Sequence, residues 1–578
     1  MRKTQIFIPF VLFSIVFGLS TCCFKEFTDA ELRSKWYWLY ISIALCCIVS
    51  LLFKFKESHC IKKVIYWLLP LFTICVINVP VNFFGMFLGV YCSSFFLVCY
   101  LSIFIIQSHA FETLSASISV SALLLSLYGI AQHCKILPSS NDSFIGVGNF
   151  DNPAGSASVL VFSLPFVLYH VASNKRTIQY IAQIICIIIL VAIALTSSRT
   201  AILAVILMGL LYSFRQYKDL FINLPLWSRI IGSGSIVVLI LIGLYFAKPD
   251  SANGRLLVWR CTWDMICEKP LLGHGYKSFE ANYMLYQAHY FEQNPNSELL
   301  MLADNVKQPF NEFLRLTAEF GLIALLVLLW LTWQLIRTFL KNKNRQSFTF
   351  ISVLLLVAIF SCFSYPFSYP FTWFIVAFCI GGLSTFTNQD KNKSKQISYL
   401  KFPIASLSIW LLSFTIFDMY FNRQWNQIIH TIYSGHNIRT PATQYDRLYP
   451  FFKDDANFVY NYAVVLNLAG NYTESLQQTI QCEKRLNDYD IQILKAENYK
   501  KMDSLLQAKE CYQLAANMCP NRFIPLYELV NLYDRLHQPI KAMKLANDII
   551  SKPEKVPSGM VTAIKMKMQE RIKSSSEY

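Results

Sequence analysis

The chain has 578 residues, 54% of them hydrophobic and only 15% charged, with a mean hydropathy of +0.40. That is too apolar for an ordinary soluble globular protein. The formal charge of +16 does not mark a nucleic-acid binder, because Lys and Arg sit in short clusters between apolar runs, the pattern that encodes orientation in a membrane.

In chain order, apolar runs of roughly 17–23 residues, enough to cross a hydrocarbon core as helices, recur from Gln5 to about Tyr420. The opening "MRKTQIFIPFVLFSIVFGLSTCCF" has the basic end and apolar run of a signal peptide, and with so many spans behind it we read it as an uncleaved first helix. Spans are expected near 5–23, 36–53, 64–77, 84–106, 113–133, 154–172, 178–195, 199–214, 229–247, 321–338, 349–365, 368–386 and 402–420, about thirteen crossings. "NVPVNFFG", between the third and fourth, reads either as an exit or as a re-entrant break. Counted alternately, Arg2-Lys3, Lys54/Lys56/Lys62/Lys63, Lys175-Arg176, Arg215/Lys218, Arg337/Lys341/Lys343/Arg345 and Lys391/Lys393/Lys395 fall on one side. The positive-inside rule makes that side cytoplasmic. Segment 248–320 and everything after the last span are then extracytoplasmic. Most of the 17 cysteines lie inside spans, such as Cys46, Cys47, Cys75, Cys99 and Cys186, and none has zinc-ligand spacing. Cys482, Cys511 and Cys519 read as packing residues that could pair if exported.

Three polar stretches stand on the expected outer side. "GVGNFDNPAGSAS" (146–158) opens a span, with Pro153 suited to the first helical turn and Asp151 or Asn152 suited to cap it; the amides of such a helix start suit a phosphate. In "NGRLLVWRCTWDMICEKPLLGHGYKSFEANYMLYQ" (253–287), Arg255, Trp259, Trp263 and Ile266 fall at helical spacing, which predicts an amphipathic helix on the membrane surface. Arg255 and Arg260 project from it. "NVKQPFNEFLRLTAEFGLIALLVLLW" (305–330) is polar in its first half and apolar in its second. Asn311, Glu312, Arg315 and Glu319 are expected to face a cavity at the outer boundary, or else to cap a helix there. Arg199, in "LTSSRTAILA", stands at an outer helix end, where a charge is tolerable beside a polar cavity.

From Phe421 the hydropathy collapses, and we place a domain boundary there. Self-alignment at about 34 residues, a period of stacked helix pairs, brings Tyr499 onto Tyr533 and Ala508 onto Ala542. Ala496, Tyr499, Ala508, Tyr512, Ala515 and Pro520 stand at the small, aromatic and proline positions of a tetratricopeptide repeat, with Ala463, Gly470 and Tyr472 in an earlier unit. The expected fold is all-α: a membrane helical bundle over 1–420 and an extracytoplasmic solenoid of this type over 421–578, whose concave face suits an envelope protein.

"GVGNFDNPAG", "SSRTAIL", "GRLLVW…KPLLGHGYKSF" and "FNEFLRLTAEFGLIALL" together resemble, in order and spacing, the O-antigen ligase family of bacterial membrane glycosyltransferases, which includes O-antigen polymerases and protein O-oligosaccharyltransferases. The likeness covers roughly residues 60 to 390. It implies transfer, at the outer face of the cytoplasmic membrane, of a glycan from a polyprenyl pyrophosphate to a hydroxyl of lipid A core, a growing glycan or a protein, without cofactor or metal. The family's two arginines match Arg199 and Arg255, fixed guanidinium groups suited to a pyrophosphate. The family's histidine base falls at Phe310, which cannot take a proton. Glu312 is then the favoured base, with Glu319, His289 and His274 as rivals, and Asn311, Arg260, Arg315, Asn152 and His289 are expected to bind substrate. The missing histidine also motivates a second reading, a non-catalytic scaffold that recruits envelope proteins through its repeats. A transporter is disfavoured, since the spans show no internal repeat.

Overall fold

The computed structural model describes residues 2–53, 58–77, 83–139, 144–216, 248–386, 401–433 and 439–576, with Trp227, Gly234, Ser235, Ile242, Gly243, Tyr245 and Phe246 besides. Among these every regular element is a helix. The chain divides into two units, Met1–Leu244 with Phe310–Phe313 and Ala324–Gln427, and Tyr245–Pro309 with Leu314–Ile323 and Ile428–Tyr578.

In the first unit, each expected span except that near 229–247 falls on a helix, from Arg2–Thr21 to Lys401–Tyr433. The exception lies almost wholly outside the described residues, as do Lys54, Lys56, Lys218, Lys391, Lys393, Lys395 and the centre of "NVPVNFFG". Seven described helices are long and apolar enough to cross a membrane, with Pro9–Thr21, Arg345–Ser361 and Pro370–Ser384 shorter apolar ones. Pro153–Val171 is the central helix: 78% of its span is buried, against 28% for Arg176–Leu195. Backbones approach closely where residues are small, the usual device between membrane helices. A Cβ on Gly381 would stand 2.4 Å from the Cys99 carbonyl oxygen, and Ser102 Oγ donates to the Phe378 carbonyl at 2.6 Å.

Helix ends that alternation assigns to one side meet one another. Asn149 Nδ2 donates to the Thr21 carbonyl (2.8 Å), Lys35 Nζ to the Asn149 carbonyl (2.6 Å) and Thr28 N to Asn422 Oδ1 (3.0 Å). At the opposite ends Lys63 Nζ donates to Thr338 Oγ1 (3.4 Å), Lys401 Nζ to the Leu51 carbonyl (3.0 Å), and the Arg215 guanidinium lies 3.9 Å from the Phe348 ring centroid.

The second unit takes in the long loop together with the repeats. The boundary at Phe421 falls inside the helix Lys401–Tyr433, and the long loop packs with the repeats. Leu257, Val258, Cys261, Met265 and Ile266 of Pro249–Glu268 and Phe279, Tyr283, Met284 and Ala288 of Ser278–Gln293 share one core with Tyr489, Ala515, Met518 and Cys519. Polar bonds fix the join: Gln287 Nε2 donates to the Met518 carbonyl (2.7 Å), Asn521 Nδ2 to the Ala303 carbonyl (2.6 Å) and Asn487 N to the Glu280 carbonyl (3.1 Å).

The repeats are the helix pairs Ala456–Leu468/Tyr472–Glu483, Tyr489–Lys501/Leu505–Met518 and Ile524–Arg535/Pro539–Ser551, followed by Gly559–Ser576. Ala496, Ala508, Ala515, Ala542 and Ala546 are fully buried, as the small positions of a tetratricopeptide repeat require. Gly470, Asp503 and His537, 33 and 34 residues apart, all take positive φ in the turn inside each pair. Cys482, Cys511 and Cys519 are free and buried, so they pack and do not pair.

The stretch whose character changes halfway is two helices. Glu312–Lys341 breaks at Gly321, with φ 77° and ψ 178°. Across the break runs the glycine turn of the loop: the amides of His274 and Gly275 donate to the carbonyls of Ala318 and Glu319 (2.9 and 2.8 Å), and those of Leu322 and Ile323 donate to the carbonyls of Pro270 and Leu271 (2.8 and 3.4 Å). These four bonds hold residues 270–275 against 318–323, leaving no room for a side chain on Gly321.

Candidate functional site

In the first unit two candidate residues, Asn152 and Glu312, meet one turn, Tyr365–Tyr369, between Arg345–Ser361 and Pro370–Ser384. Asn152 caps Pro153–Val171, its Oδ1 accepting from the Gly155 amide at 3.0 Å. Its Nδ2 donates to the hydroxyls of Tyr365 (2.7 Å) and Tyr369 (2.8 Å), and Tyr369 donates to Asp151 Oδ1 at 2.7 Å. A Cβ on Gly155 would meet the Tyr369 ring at 2.6 Å, so this glycine is what admits the tyrosine. The far side of the turn holds Glu312, whose Oε1 accepts from the Phe367 amide at 3.1 Å. The turn itself is pinned by two indoles, Trp373 Nε1 donating to the Phe367 carbonyl (2.8 Å) and Trp36 Nε1 to that of Ser368 (3.3 Å).

Phe310 sits at positive φ with its ring 5.7 Å from that of Tyr365. Asn311 Oδ1 accepts from the Phe313 amide at 3.0 Å, so this residue caps the helix that Glu312 begins. Arg199 is the first residue of Arg199–Gln216, half-buried beside Ser197 at positive φ.

In the second unit Arg255 is half-buried on Pro249–Glu268. One turn on, Trp259 Nε1 donates to the Pro309 carbonyl at 3.0 Å, tying this helix to the approach to residue 310. Trp263 is exposed while Ile266 is buried, so the face expected to lie on the membrane is divided: part of it packs into the core shared with the repeats. The Arg260 guanidinium lies 4.9 Å from the Tyr290 ring centroid. Arg315 Nε donates to Glu319 Oε1 (3.1 Å) and Nη1 to Gln308 Oε1 (2.7 Å), with Glu319 buried. Glu319 is therefore occupied as a buried ion-pair partner. His274 Nε2 is 2.8 Å from the Met265 carbonyl, which holds that ring as a latch. His289 is exposed and bonded to Gln293 on its own helix at 2.8 Å.

Tyr365 and Tyr369 were not foreseen as part of the site. Their signal was a duplicated tetrapeptide, "SYPFSYPF" at 364–371, placed where two spans end on the side of Asn152 and Glu312.

Residues 184–329 match a family model described as O-antigen ligase. A protein of Rickettsia felis, provisionally named a polysaccharide ligase, is 25% identical over 257 residues, which is 42% of this chain and 57% of that protein. Among solved structures, yeast Tom70 aligns at 11% identity over 83% of this chain and 88% of that one, with a TM-score of 0.22, too low to bear on the fold. The matched segment carries Arg199, Arg255 and Glu312, and lies in a chain with several membrane-crossing helices. The chain is thus a multi-pass membrane protein whose residues 184–329 are similar to the O-antigen ligase family.

Proposed function

We propose that the protein transfers a preassembled glycan from a polyprenyl pyrophosphate to an acceptor hydroxyl at the outer face of a bacterial cytoplasmic membrane, with the repeat domain in the periplasm. The family match over 184–329 carries this reading. The acceptor oxygen attacks the anomeric carbon, the bond from that carbon to the pyrophosphate oxygen breaks, and the lipid pyrophosphate departs with the electron pair. Arg199 and Arg255 balance its charge, and Glu312 takes the hydroxyl proton. Glu312 is favoured because it lies beside Phe310 and Asn311 on the same polar turn, whereas Glu319 pairs with Arg315, His274 bonds a carbonyl and His289 lies on an exposed helix face. Asn152 and Asn311 act by fixing the loops around Glu312. The acceptor is lipid A core, another glycan or a protein, and the repeats offer a surface to an envelope protein.

Phe310 in place of the family's histidine, its ring tilted against that of Tyr365, favours a second reading, a scaffold without transfer activity. One experiment separates the two. A deletion strain is complemented with wild type or Arg255→Ala at equal abundance, and its lipopolysaccharide, capsule and glycoproteins are compared on gels. Loss of one glycan class with Arg255→Ala supports transfer; full restoration supports the scaffold.

A further inference from the structure

The second unit exposes an apolar tip that neither the ligase match nor the repeats account for. Leu271 and Leu272 are 63% and 51% exposed, and beside them Leu322 and Ile323 are each 39% exposed. The bonds from Leu322 and Ile323 to the carbonyls of Pro270 and Leu271 join the four into one patch. Within Glu312–Lys341, Leu322 begins a row of exposed apolar residues at helical spacing: Leu326, Leu329, Trp333, Ile336 and Leu340. That helix is long and apolar enough to cross a membrane, and such a row on a span faces lipid. The leucine tip is therefore bonded to the first residues of a helix that carries this exposed apolar row.

We propose that the loop Pro270–Leu272 is a non-spanning membrane wedge whose two leucines sit among lipid acyl chains beside the first turn of that span. The flanking residues suit the headgroup layer. Lys269 and Trp263 are exposed, and Lys277 and Tyr276 are half-buried. Aliphatic stems and aromatic rings lie at that level while cationic tips reach the anionic surface. The break at Gly321 is what makes the wedge possible, because a continuous helix would have no free backbone amides for the loop to bond. The occupant is bilayer lipid, and the inference stands whether or not the protein transfers glycan.

The test uses the full chain in nanodiscs of phosphatidylethanolamine and phosphatidylglycerol. Single variants Leu271→p-benzoylphenylalanine and Leu272→p-benzoylphenylalanine are illuminated and weighed intact. The Leu326 position sets the yield of a lipid-facing residue, and exposed Gln293 sets the background. The expected result is a mass shift of one phospholipid at 271, 272 and 326 and none at 293. Background yield at both leucines while Leu326 is labelled overturns the wedge, and so does cross-linking of the leucines to protein in place of lipid.

Discussion

Gly321→Ala is the perturbation whose size follows most directly from geometry. At φ 77° and ψ 178° the backbone lies in a region open almost only to glycine, and a side chain there costs about 1–3 kcal/mol. The new Cβ would also stand 1.9 Å from the Leu271 carbonyl oxygen and 2.2 Å from its carbon. Backbone cannot yield that far, so the bonds from Leu322 and Ile323 are lost, at roughly 0.5–1.5 kcal/mol each. The sum is about 2–6 kcal/mol, a large share of the ~5–15 kcal/mol that stabilises a domain. At about 2–4 °C per kcal/mol, the purified chain should melt roughly 5–20 °C lower, followed by tryptophan fluorescence. Two comparators isolate the clash. Gly470 also has positive φ (86°) but nothing within 4 Å of its Cβ position, so Gly470→Ala should cost only about 1–2 kcal/mol. Gly209 lies in a helix with open space around it, and Gly209→Ala should stabilise by about 0.5–1 kcal/mol. If Gly321→Ala melts with Gly470→Ala, the loop does not clasp the helix break.

Removing one guanidinium from a pyrophosphate site should lower transfer by about 10²-fold or more, so Arg255→Ala should abolish it at normal abundance. Lysine should rescue poorly for want of a bidentate fork, while Arg260→Ala, losing a ring contact, should be mild; transfer assays of matched membranes decide. Asn152→Ala removes a helix cap worth about 1 kcal/mol and the amide bonds to both tyrosine hydroxyls, so transfer should fall more than abundance, whereas equal falls in both assign Asn152 to stability alone. Burial pushes the thiols of Cys482, Cys511 and Cys519 up to about 12, 11 and 12, leaving almost no thiolate at pH 7. Maleimide should then modify exposed Cys267 in the native protein and the buried three only after denaturation, and labelling of the three in native protein contradicts their packing. Truncation after Gln427 should leave the spans inserted yet make the loop protease-sensitive, because its core residues lose Met518 and Cys519; a protease-resistant loop in the truncated chain contradicts the shared core.

Periodicity made most of the helices legible. Expected spans landed on helices because apolar runs of that length have few other uses, and Ala508 and Ala542 hold equivalent places in their repeats. The matching turns were harder to see, since Gly470, Asp503 and His537 share a backbone conformation but no residue type. Pro249–Glu268 carries apolar residues on more than one face, and which face is buried is decided by partners more than 200 residues away in sequence. No local pattern links Gln287 to Met518. The site was half-read for a related reason: charged and glycine-rich stretches attract notice, whereas the tyrosines of "SYPFSYPF" look like ordinary interfacial aromatics until the Asn152 amide is found between their hydroxyls.

The shared core of loop and repeats also sets an order of events during synthesis. Gln287 bonds a carbonyl 231 residues further along, so the loop cannot finish folding when it is first synthesised. At roughly 5–20 residues per second, about 10–50 s pass before its partner is made. Throughout that interval Tyr283, Met284 and their neighbours lie open to chaperones and proteases. The repeat helices Tyr489–Lys501 and Leu505–Met518 thus license the loop that carries Arg255, and a chain cut short before them by a nonsense codon presents that arginine on an unfinished fold.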